Sequence, residues 1–213
     1  MKRTVIFTLA AMLGATALFA LVFQLTRPTE PEKPMPAELY SVVLDTPRPL
    51  APFRLEDSEG SVFDQSRLQG KWSLLFFGYT HCPDICPTTL ATLRRVAKTL
   101  QQTPEYYADT QFIFVSVDPR RDTVNHLKDY IGYFHPDFLA ATGEKEQIDR
   151  LASQLGAIYM FDGDTASDDY IVNHSASIAV VDPQGRWAAR FNPPHTASEM
   201  ANDFRRLRDY LQP

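Results

Sequence analysis

The sequence predicts an α/β domain with a central mixed sheet flanked by helices. Two predominantly apolar runs, residues 72–77 and 112–117, have the length and composition of buried strands. Each is followed by a segment with helical periodicity, and the chain ends with two short strands and a last helix. An alternation of strands and helices in this order is typical of a sheet that carries helices on both faces.

An N-terminal β-hairpin is expected before the first buried strand. Residues 53–55 and 61–63 are strand-like and flank the turn sequence DSEG at residues 57–60. Beyond the first buried strand, four apolar residues recur at the spacing i, i+3, i+4 and i+7, namely Leu93, Val96, Ala97 and Leu100. This spacing predicts an amphipathic helix that begins near Pro83.

The second half of the domain continues the alternation. Helices are predicted over residues 124–134 and 144–155, and strands over residues 177–181 and 186–190 around a turn at residues 182–185. The last helix carries an apolar stripe, which we expect in the core, made of Met200, Phe204, Leu207 and Leu211. A thioredoxin-like fold fits this order of elements.

A transmembrane anchor is predicted at residues 1–26. Lys2 and Arg3 precede residues 5–25, a run without charge that is long enough to cross a bilayer core of about 30 Å. A cleaved signal peptide is the competing interpretation, but its apolar region is shorter, about 7–15 residues. The basic residues favour a cytoplasmic N-terminus, so we expect a single-pass protein of the bacterial inner membrane with its soluble domain in the periplasm.

Two further segments follow the anchor. Residues 27–47 are rich in proline, which is typical of an extended linker. Residues 48–213 suffice for one domain with its own core. The formal net charge of −5 and the isoelectric point near 5.5 argue against nucleic acid or an anionic membrane surface as the main partner, because both bind basic patches.

The chemistry is concentrated at the only two cysteines of the chain, Cys82 and Cys86, which follow the first buried strand. If a helix begins near Pro83, their spacing puts both sulfur atoms on one helix face, with Cα atoms about 6 Å apart. Such a pair can exist as a dithiol, a disulfide or a metal thiolate. A disulfide that closes so short a loop adds little stability, so the spacing favours a chemical role over a structural one.

A histidine is the expected third ligand if the cysteines bind a metal. His174 stands out because it lies just before a predicted strand, in a segment that can be held against the cysteine helix. Taken alone, its position is better explained by an ordinary loop histidine. His81 can lower the pKa of the neighbouring Cys82 or simply be exposed. We expect the other histidines at the surface: His126, His135 and His195.

Four motifs of the chain resemble those of the SCO/SenC proteins, thioredoxin-fold copper-binding factors that assist cytochrome c oxidase assembly. They are GYTHCPDICP at residues 78–87, VSVDPRRDT at 115–123, YIVNHS at 170–175 and VVDPQG at 180–185. The resemblance covers nearly everything after the anchor. It implies that three residues are copper ligands: Cys82, Cys86 and His174.

Such a ligand set suits copper in both oxidation states. Thiolates are soft and favour Cu(I), and an added imidazole allows Cu(II). Three ligands also leave a coordination position through which an acceptor can take the ion. Zinc remains an alternative, because a similar set with an open position occurs in catalytic zinc sites.

Two aspartates lie near these motifs. Asp118 can approach the cysteine loop and tune its charge, although a turn or helix-capping role explains Asp118 and Asp122 equally well. Asn173 stands where relatives often have an acidic residue, so a carboxylate at that position is absent here.

The resemblance therefore implies a membrane-anchored copper chaperone rather than an enzyme. Its partners would be the copper-containing subunit of cytochrome c oxidase, whose binuclear copper centre it helps to assemble, and a copper donor protein. The alternative is a thiol-disulfide oxidoreductase that reduces the cysteines of that subunit or senses redox state through Cys82 and Cys86. Against it stands the interval of three residues between the cysteines, where the common redox motif has two.

Overall fold

The computed structural model describes Met12, residues 14–19, Val22 and residues 34–211. The chain divides into two compact units, Met1–Pro34 and Met35–Pro213. In the first unit, Met12, residues 14–19 and Val22 are helical. Within the described part of the chain, no helix has the length and apolar character needed to cross a membrane. Most of the predicted anchor, residues 1–26, lies outside the described residues.

The second unit is built on an eight-stranded mixed sheet with the order β1-β10-β9-β4-β5-β6-β2-β3, and β7 and β8 form a separate two-stranded sheet. Strands β4, β5 and β6 are parallel to one another, and β9 runs antiparallel to β4. The strand bounds are β1 Val43–Pro49, β2 Arg54–Asp57, β3 Val62–Asp64, β4 Trp72–Gly78, β5 Thr110–Ser116, β6 Leu139–Thr142, β7 Tyr159–Asp162, β8 Ile171–His174, β9 Ile178–Val181 and β10 Arg186–Phe191.

Five α-helices and two short 3-10 helices flank the sheet in the described part of this unit. The α-helices are α1 Ile85–Leu100, α2 Pro104–Tyr107, α3 Val124–Phe134, α4 Lys145–Gln154 and α5 Ala197–Leu211, and the 3-10 helices are Ala37–Leu39 and Gln65–Leu68. Helix α1 packs against α5, and α3 packs against β6. The mixed sheet with flanking helices confirms the predicted fold class.

The hydrophobic pattern explains most of these elements. Strand β4 is buried along its whole length, as expected for a strand in the middle of a sheet covered on both faces. The predicted stripe of α1 is buried, and β2 and β3 form the predicted antiparallel hairpin. Gly60 closes the hairpin turn with φ of +78°, a backbone conformation that glycine adopts without strain.

Four strands are not anticipated by the pattern: β1, β6, β7 and β8. Strand β1 contains Pro47 and Pro49, which is compatible with its position at the edge of the sheet. It straddles the predicted boundary between linker and domain at residue 48, and Leu39 before it is fully buried. Residues on the N-terminal side of that boundary therefore contribute to the sheet and to the core.

Candidate metal site

The segment between β4 and α1, residues 79–84, carries Cys82, and we call it the cysteine loop. Helix α1 begins at Ile85, so Cys86 lies in its first turn and Cys82 lies outside it. The prediction of two sulfur atoms on one helix face is therefore wrong. The reason is Pro83, because the residue that precedes a proline is disfavoured in the helical conformation.

A hydrogen bond brings the two cysteines together instead. The backbone N–H of Cys86 donates to the Sγ atom of Cys82 over 3.4 Å. Asp84 occupies the N-cap position but its side chain makes no capping hydrogen bond. The sulfur of Cys82 thus satisfies one of the amide groups that a helix leaves free at its N-terminus, where a negative charge is stabilised.

His174 reaches the cysteines from the end of β8, a strand rather than the loop that was predicted. Its Nε2 atom lies 3.2 Å from Cys86 Sγ, and its Nδ1 atom lies 3.1 Å from the carbonyl oxygen of Ser175. A carbonyl oxygen can only accept, so Nδ1 carries the proton of the neutral ring and Nε2 offers a lone pair toward the sulfur. Metal-binding histidines are commonly oriented by such a second hydrogen bond.

The structure thus brings together Cys82, Cys86 and His174, the three residues singled out in the sequence. One ligand atom from each lies within 4.8 Å of those of the other two. Ligand atoms about 2.0–2.3 Å from a tetrahedral ion are roughly 3.5 Å apart, so only a small contraction is needed around a metal. Two sulfurs and one imidazole nitrogen form a donor set for a soft or borderline cation.

The two thiols differ in acidity. The hydrogen bond from the Cys86 side chain lowers the pKa of Cys82 to about 4, with further support from backbone amides at Asp84 and Cys86. The pKa of Cys86 is raised, because its thiol donates to Cys82 and because it is buried. The reduced pair without metal is therefore one thiolate and one thiol, and a metal that needs both thiolates must displace a proton.

A depression of about 310 Å³ opens the site to solvent. Cys82 and His174 line it, and Ile85 and Ile171 add exposed apolar surface at 38% and 51% exposure. Cys86 is fully buried. A partner can therefore approach Cys82 and His174 directly, while Cys86 is shielded.

Gly78, at the end of β4, makes room for the buried sulfur. A Cβ atom at this position would lie 2.6 Å from Cys86 Sγ and 2.8 Å from Cε2 of Phe114. No side chain larger than glycine fits without moving one of them. The sequence alone does not show this requirement, because it depends on a contact between strand and helix.

The segment before β8 is held by a network around Asp118. This carboxylate accepts hydrogen bonds from Arg121 Nε over 2.5 Å and from the Tyr170 hydroxyl over 2.6 Å. The Arg121 guanidinium lies 3.6 Å from the centre of the Tyr170 ring and donates to the carbonyl oxygens of Asp168 and Tyr170. Asp118 therefore fixes the segment that leads to His174 and does not cap a helix. Its carbonyl oxygen accepts a hydrogen bond from the Asp122 amide over 3.0 Å, as expected for a turn.

Asp122 fixes the other side of the site. Its carboxylate accepts hydrogen bonds from the Thr80 amide over 3.0 Å, the Thr80 hydroxyl over 2.6 Å and the Ser116 hydroxyl over 2.6 Å. The N-cap of α3 is Thr123, so the alternative capping role for Asp122 was wrong. Asp122 instead ties the beginning of the cysteine loop to the end of β5.

The remaining histidines divide into two pairs. His135 is partly buried and stacks on Phe138, and His195 is partly buried with Nε2 donating to the Ala176 carbonyl oxygen over 2.6 Å. Both remain partly exposed at the surface, as expected, although each also packs against residues near in space. His81 and His126 are exposed, as expected for His126.

Comparison with known proteins gives the family. The SCO1/SenC family model matches residues 44–209. The chain belongs to the SCO1/SenC family. An SCO2-like protein of Rickettsia prowazekii is 32% identical to it over 94% of this chain and 95% of that protein. The mitochondrial SCO2 homolog of Bos taurus is 36% identical over 72% of this chain and 58% of that protein.

Solved SCO1/SenC structures share the fold. The crystal structure of Arabidopsis thaliana ScoI with copper bound matches with a TM-score of 0.69 and 32% identity, over 75% of this chain and 98% of that one. The solution structure of apo Sco1 from Thermus thermophilus matches with a TM-score of 0.70 and 36% identity, over 79% and 96% of the two chains. These matches confirm the predicted family and its thioredoxin-like fold.

Proposed function

We propose that this SCO1/SenC protein binds one copper ion through Cys82, Cys86 and His174 and helps to assemble the binuclear copper centre of cytochrome c oxidase. The observation that carries the proposal is the convergence of these three side chains, with the Nε2 lone pair of His174 directed at Cys86. Relatives in the family, including the ScoI proteins of Arabidopsis thaliana and Bradyrhizobium japonicum, have been solved with copper bound.

The donor set suits an ion that is carried and then released. Two thiolates retain Cu(I), and the imidazole allows Cu(II). Three protein ligands leave a coordination position open to a ligand of the acceptor. The exposed apolar side chains of Ile85 and Ile171 beside the depression are suited to contact a protein surface. The copper-containing oxidase subunit is the acceptor in this proposal, and a second protein donates the copper.

The proposed location follows from the N-terminal sequence. Lys2 and Arg3 precede the uncharged residues 5–25, which supports a single-pass anchor in the inner membrane with the N-terminus in the cytoplasm. The proline-rich residues 27–47 would act as the linker, and residues 48–213 as the periplasmic domain. A copper site facing the periplasm would be on the side from which the oxidase subunit is loaded.

Copper binding to the reduced domain tests the proposal. Met35–Pro213 forms a compact unit of its own and can be prepared without the preceding segment. With Cu(I) supplied under reducing conditions, we expect one equivalent by metal analysis, lost in Cys82→Ser, Cys86→Ser and His174→Ala. His135→Ala is the matched control, because this partly buried histidine packs on Phe138 rather than on the cysteines. Cu(I) uptake that His174→Ala leaves at one equivalent would contradict the proposal.

A second function, thiol-disulfide exchange, is favoured by the unequal acidity of the cysteines. Cys82 is a thiolate at neutral pH because its pKa is about 4, and it faces the depression. The Cys82 thiolate would attack one sulfur of a partner disulfide and release the other as a thiolate. Cys86, after losing its proton, would attack the mixed disulfide. The partner gains two electrons and two thiols, and Cys82 and Cys86 become a disulfide.

The two functions separate at His174. Copper binding requires its imidazole, whereas the exchange steps use only the two sulfurs. His174→Ala should therefore abolish Cu(I) retention and leave reduction of a two-cysteine partner peptide at the same stoichiometry. A wild-type domain that binds no copper but reduces the peptide would establish the second function in place of the first.

A further inference from the structure

We infer that a second cluster, made of His81, Asp122 and His126, is a binding site for a divalent cation of borderline softness, with Cu²⁺ preferred over Zn²⁺. We call it the histidine–aspartate cluster. One ligand atom from each residue lies within 4.8 Å of those of the other two. The cluster shares no residue with the cysteine–histidine site, so this inference goes beyond the proposed function.

The three side chains meet at one oxygen atom, the hydroxyl Oγ1 of Thr80. Asp122 Oδ1 lies 2.6 Å from it, His126 Nε2 lies 2.9 Å from it and His81 Nδ1 lies 3.1 Å from it. The rings of His81 and His126 are 5.9 Å apart. The potential ligand atoms thus surround a small volume next to Thr80.

The hydrogen bonds around Thr80 show how an ion would fit. An ionised carboxylate only accepts, so the Thr80 hydroxyl donates its proton to Asp122 and accepts from the two imidazoles. Each histidine therefore directs a nitrogen and its proton at the same place. When the proton of each neutral ring resides on its other nitrogen, a cation at this place would meet two imidazole nitrogen lone pairs and one carboxylate oxygen, with the hydroxyl as a neutral fourth donor. Imidazole and carboxylate ligands suit Cu²⁺ and Zn²⁺, and Cu²⁺ binds more tightly in the general order of stability.

The ligands are well supported by the fold. Asp122 is fully buried, and its Oδ2 atom is held by the Thr80 amide and the Ser116 hydroxyl. This leaves Oδ1 directed toward the cluster. His126 lies in the first turn of α3, a helix whose N-cap Thr123 accepts a hydrogen bond from the His126 amide. Only His81 comes from the cysteine loop.

Access and charge also favour a cation. The side chain of His81 is 51% exposed and His126 is exposed, so an ion can enter from solvent without any rearrangement of the core. The N-terminus of α3 disfavours positive charge, but the buried Asp122 carboxylate supplies a full negative charge at the site. The acidic group is at the base of the cluster and the two imidazoles are at its entrance.

The test uses a domain that lacks the proposed copper ligands. Met35–Pro213 with Cys82→Ser, Cys86→Ser and His174→Ala should retain one equivalent of Cu²⁺ in the presence of glycine as a weak competitor. Its electron paramagnetic resonance spectrum should show hyperfine coupling to nitrogen. Further substitution of His81→Ala or His126→Ala should weaken binding by at least about tenfold, since even the loss of an outer hydrogen-bond partner costs about that much.

His135→Ala in the same background is the matched control and should leave Cu²⁺ binding unchanged. Thermal unfolding gives a second measurement, because an ion that binds only the folded state raises the melting temperature. If the background variant binds no Cu²⁺, or binds it equally with His126→Ala, the inference is overturned. If His126→Ala lowers the melting temperature while no ion binds, the cluster is a structural hydrogen-bond network and the inference is likewise overturned. Neither result depends on copper binding by the cysteines.

Discussion

The cysteine loop separates two groups of potential ligands that differ in almost every property. On one side, Cys86 is fully buried, and Cys82 and His174 pack among apolar and aromatic side chains at the edge of the depression. On the other side, the histidine–aspartate cluster opens to solvent around a threonine hydroxyl. The first set is soft and the second is borderline to hard. The sulfur ligands of this protein are thus buried, whereas the imidazole ligands of the histidine–aspartate cluster are exposed.

The largest expected effect is that each of two substitutions weakens metal binding at one group of ligands and leaves the other group unaffected. Cys86→Ser should weaken Cu(I) binding to the reduced domain by at least about 100-fold, since losing a direct ligand costs no less than losing its outer partner. The same variant should leave Cu²⁺ binding by the histidine–aspartate cluster unchanged. Competition with a coloured Cu(I) chelator measures the first effect. His126→Ala should weaken Cu²⁺ binding and leave Cu(I) binding unchanged. A variant that weakens the binding of both ions equally would show that the two groups form a single site.

A pH titration tests the unequal acidity of the buried site. In the reduced domain, the ultraviolet absorbance of thiolate should show one cysteine ionising with a pKa of about 4. Because this pKa is lowered from 9.0, the Cys82 contribution to the free energy of unfolding is present above the ordinary value and is lost as pH falls toward 4. Cys86→Ala removes the main hydrogen-bond donor and should raise the pKa of Cys82. A midpoint near the ordinary thiol value in the wild type would contradict the assignment.

Gly78→Ala should affect the cysteine–histidine site and leave the histidine–aspartate cluster unchanged. The added methyl would press on Cys86 Sγ, and overpacking of this kind costs about 1–3 kcal/mol of unfolding free energy. Chemical denaturation measures the loss, and Cu(I) affinity should fall with it. Gly132→Ala is the matched control, because nothing lies within 4 Å of a Cβ atom there. Since Gly132 is inside α3, this control should gain up to about 1 kcal/mol.

A smaller effect is expected at the support of His174. Tyr170→Phe removes the hydroxyl that donates to Asp118. A hydrogen bond to a charged group contributes about 1.5–3 kcal/mol to the free energy of unfolding. We expect a loss near the lower end, because Arg121 still pairs with Asp118, together with a modest fall in Cu(I) affinity. Tyr133→Phe, at an 83% exposed position, is the control. Equal stability of the two variants would show that the network does not position the segment.

The sequence predicted the elements whose hydrophobic pattern is long and regular. Strand β4 and the buried stripe of α1 are of this kind, and so is the placement of the cysteines between them. The strands that the pattern did not predict are short, or contain proline, and β8 owes its pairing to β7 rather than to its own composition. His174 could be ranked first by its position, but the strand that carries it could not be predicted.

The parts of the site that sequence reasoning missed depend on contacts between distant residues. Tyr170 and Asp118 are far apart in the chain, and only the fold shows that one fixes the other. The space that Gly78 leaves for Cys86 is likewise a property of packing. Asp122 was considered only for a turn or a helix cap, because a sequence cannot show that its carboxylate reaches back to Thr80.

The capping of α1 by a sulfur atom also makes the helix backbone a reporter of the cysteine state. The Cys86 amide is protected from exchange with solvent while it donates to the Cys82 thiolate. A bound ion or a disulfide would compete for the same electron pairs and weaken that hydrogen bond. Deuterium uptake at this amide should therefore change with the ligand on Cys82, so that the state of the sulfur can be followed at a single backbone position without any optical label.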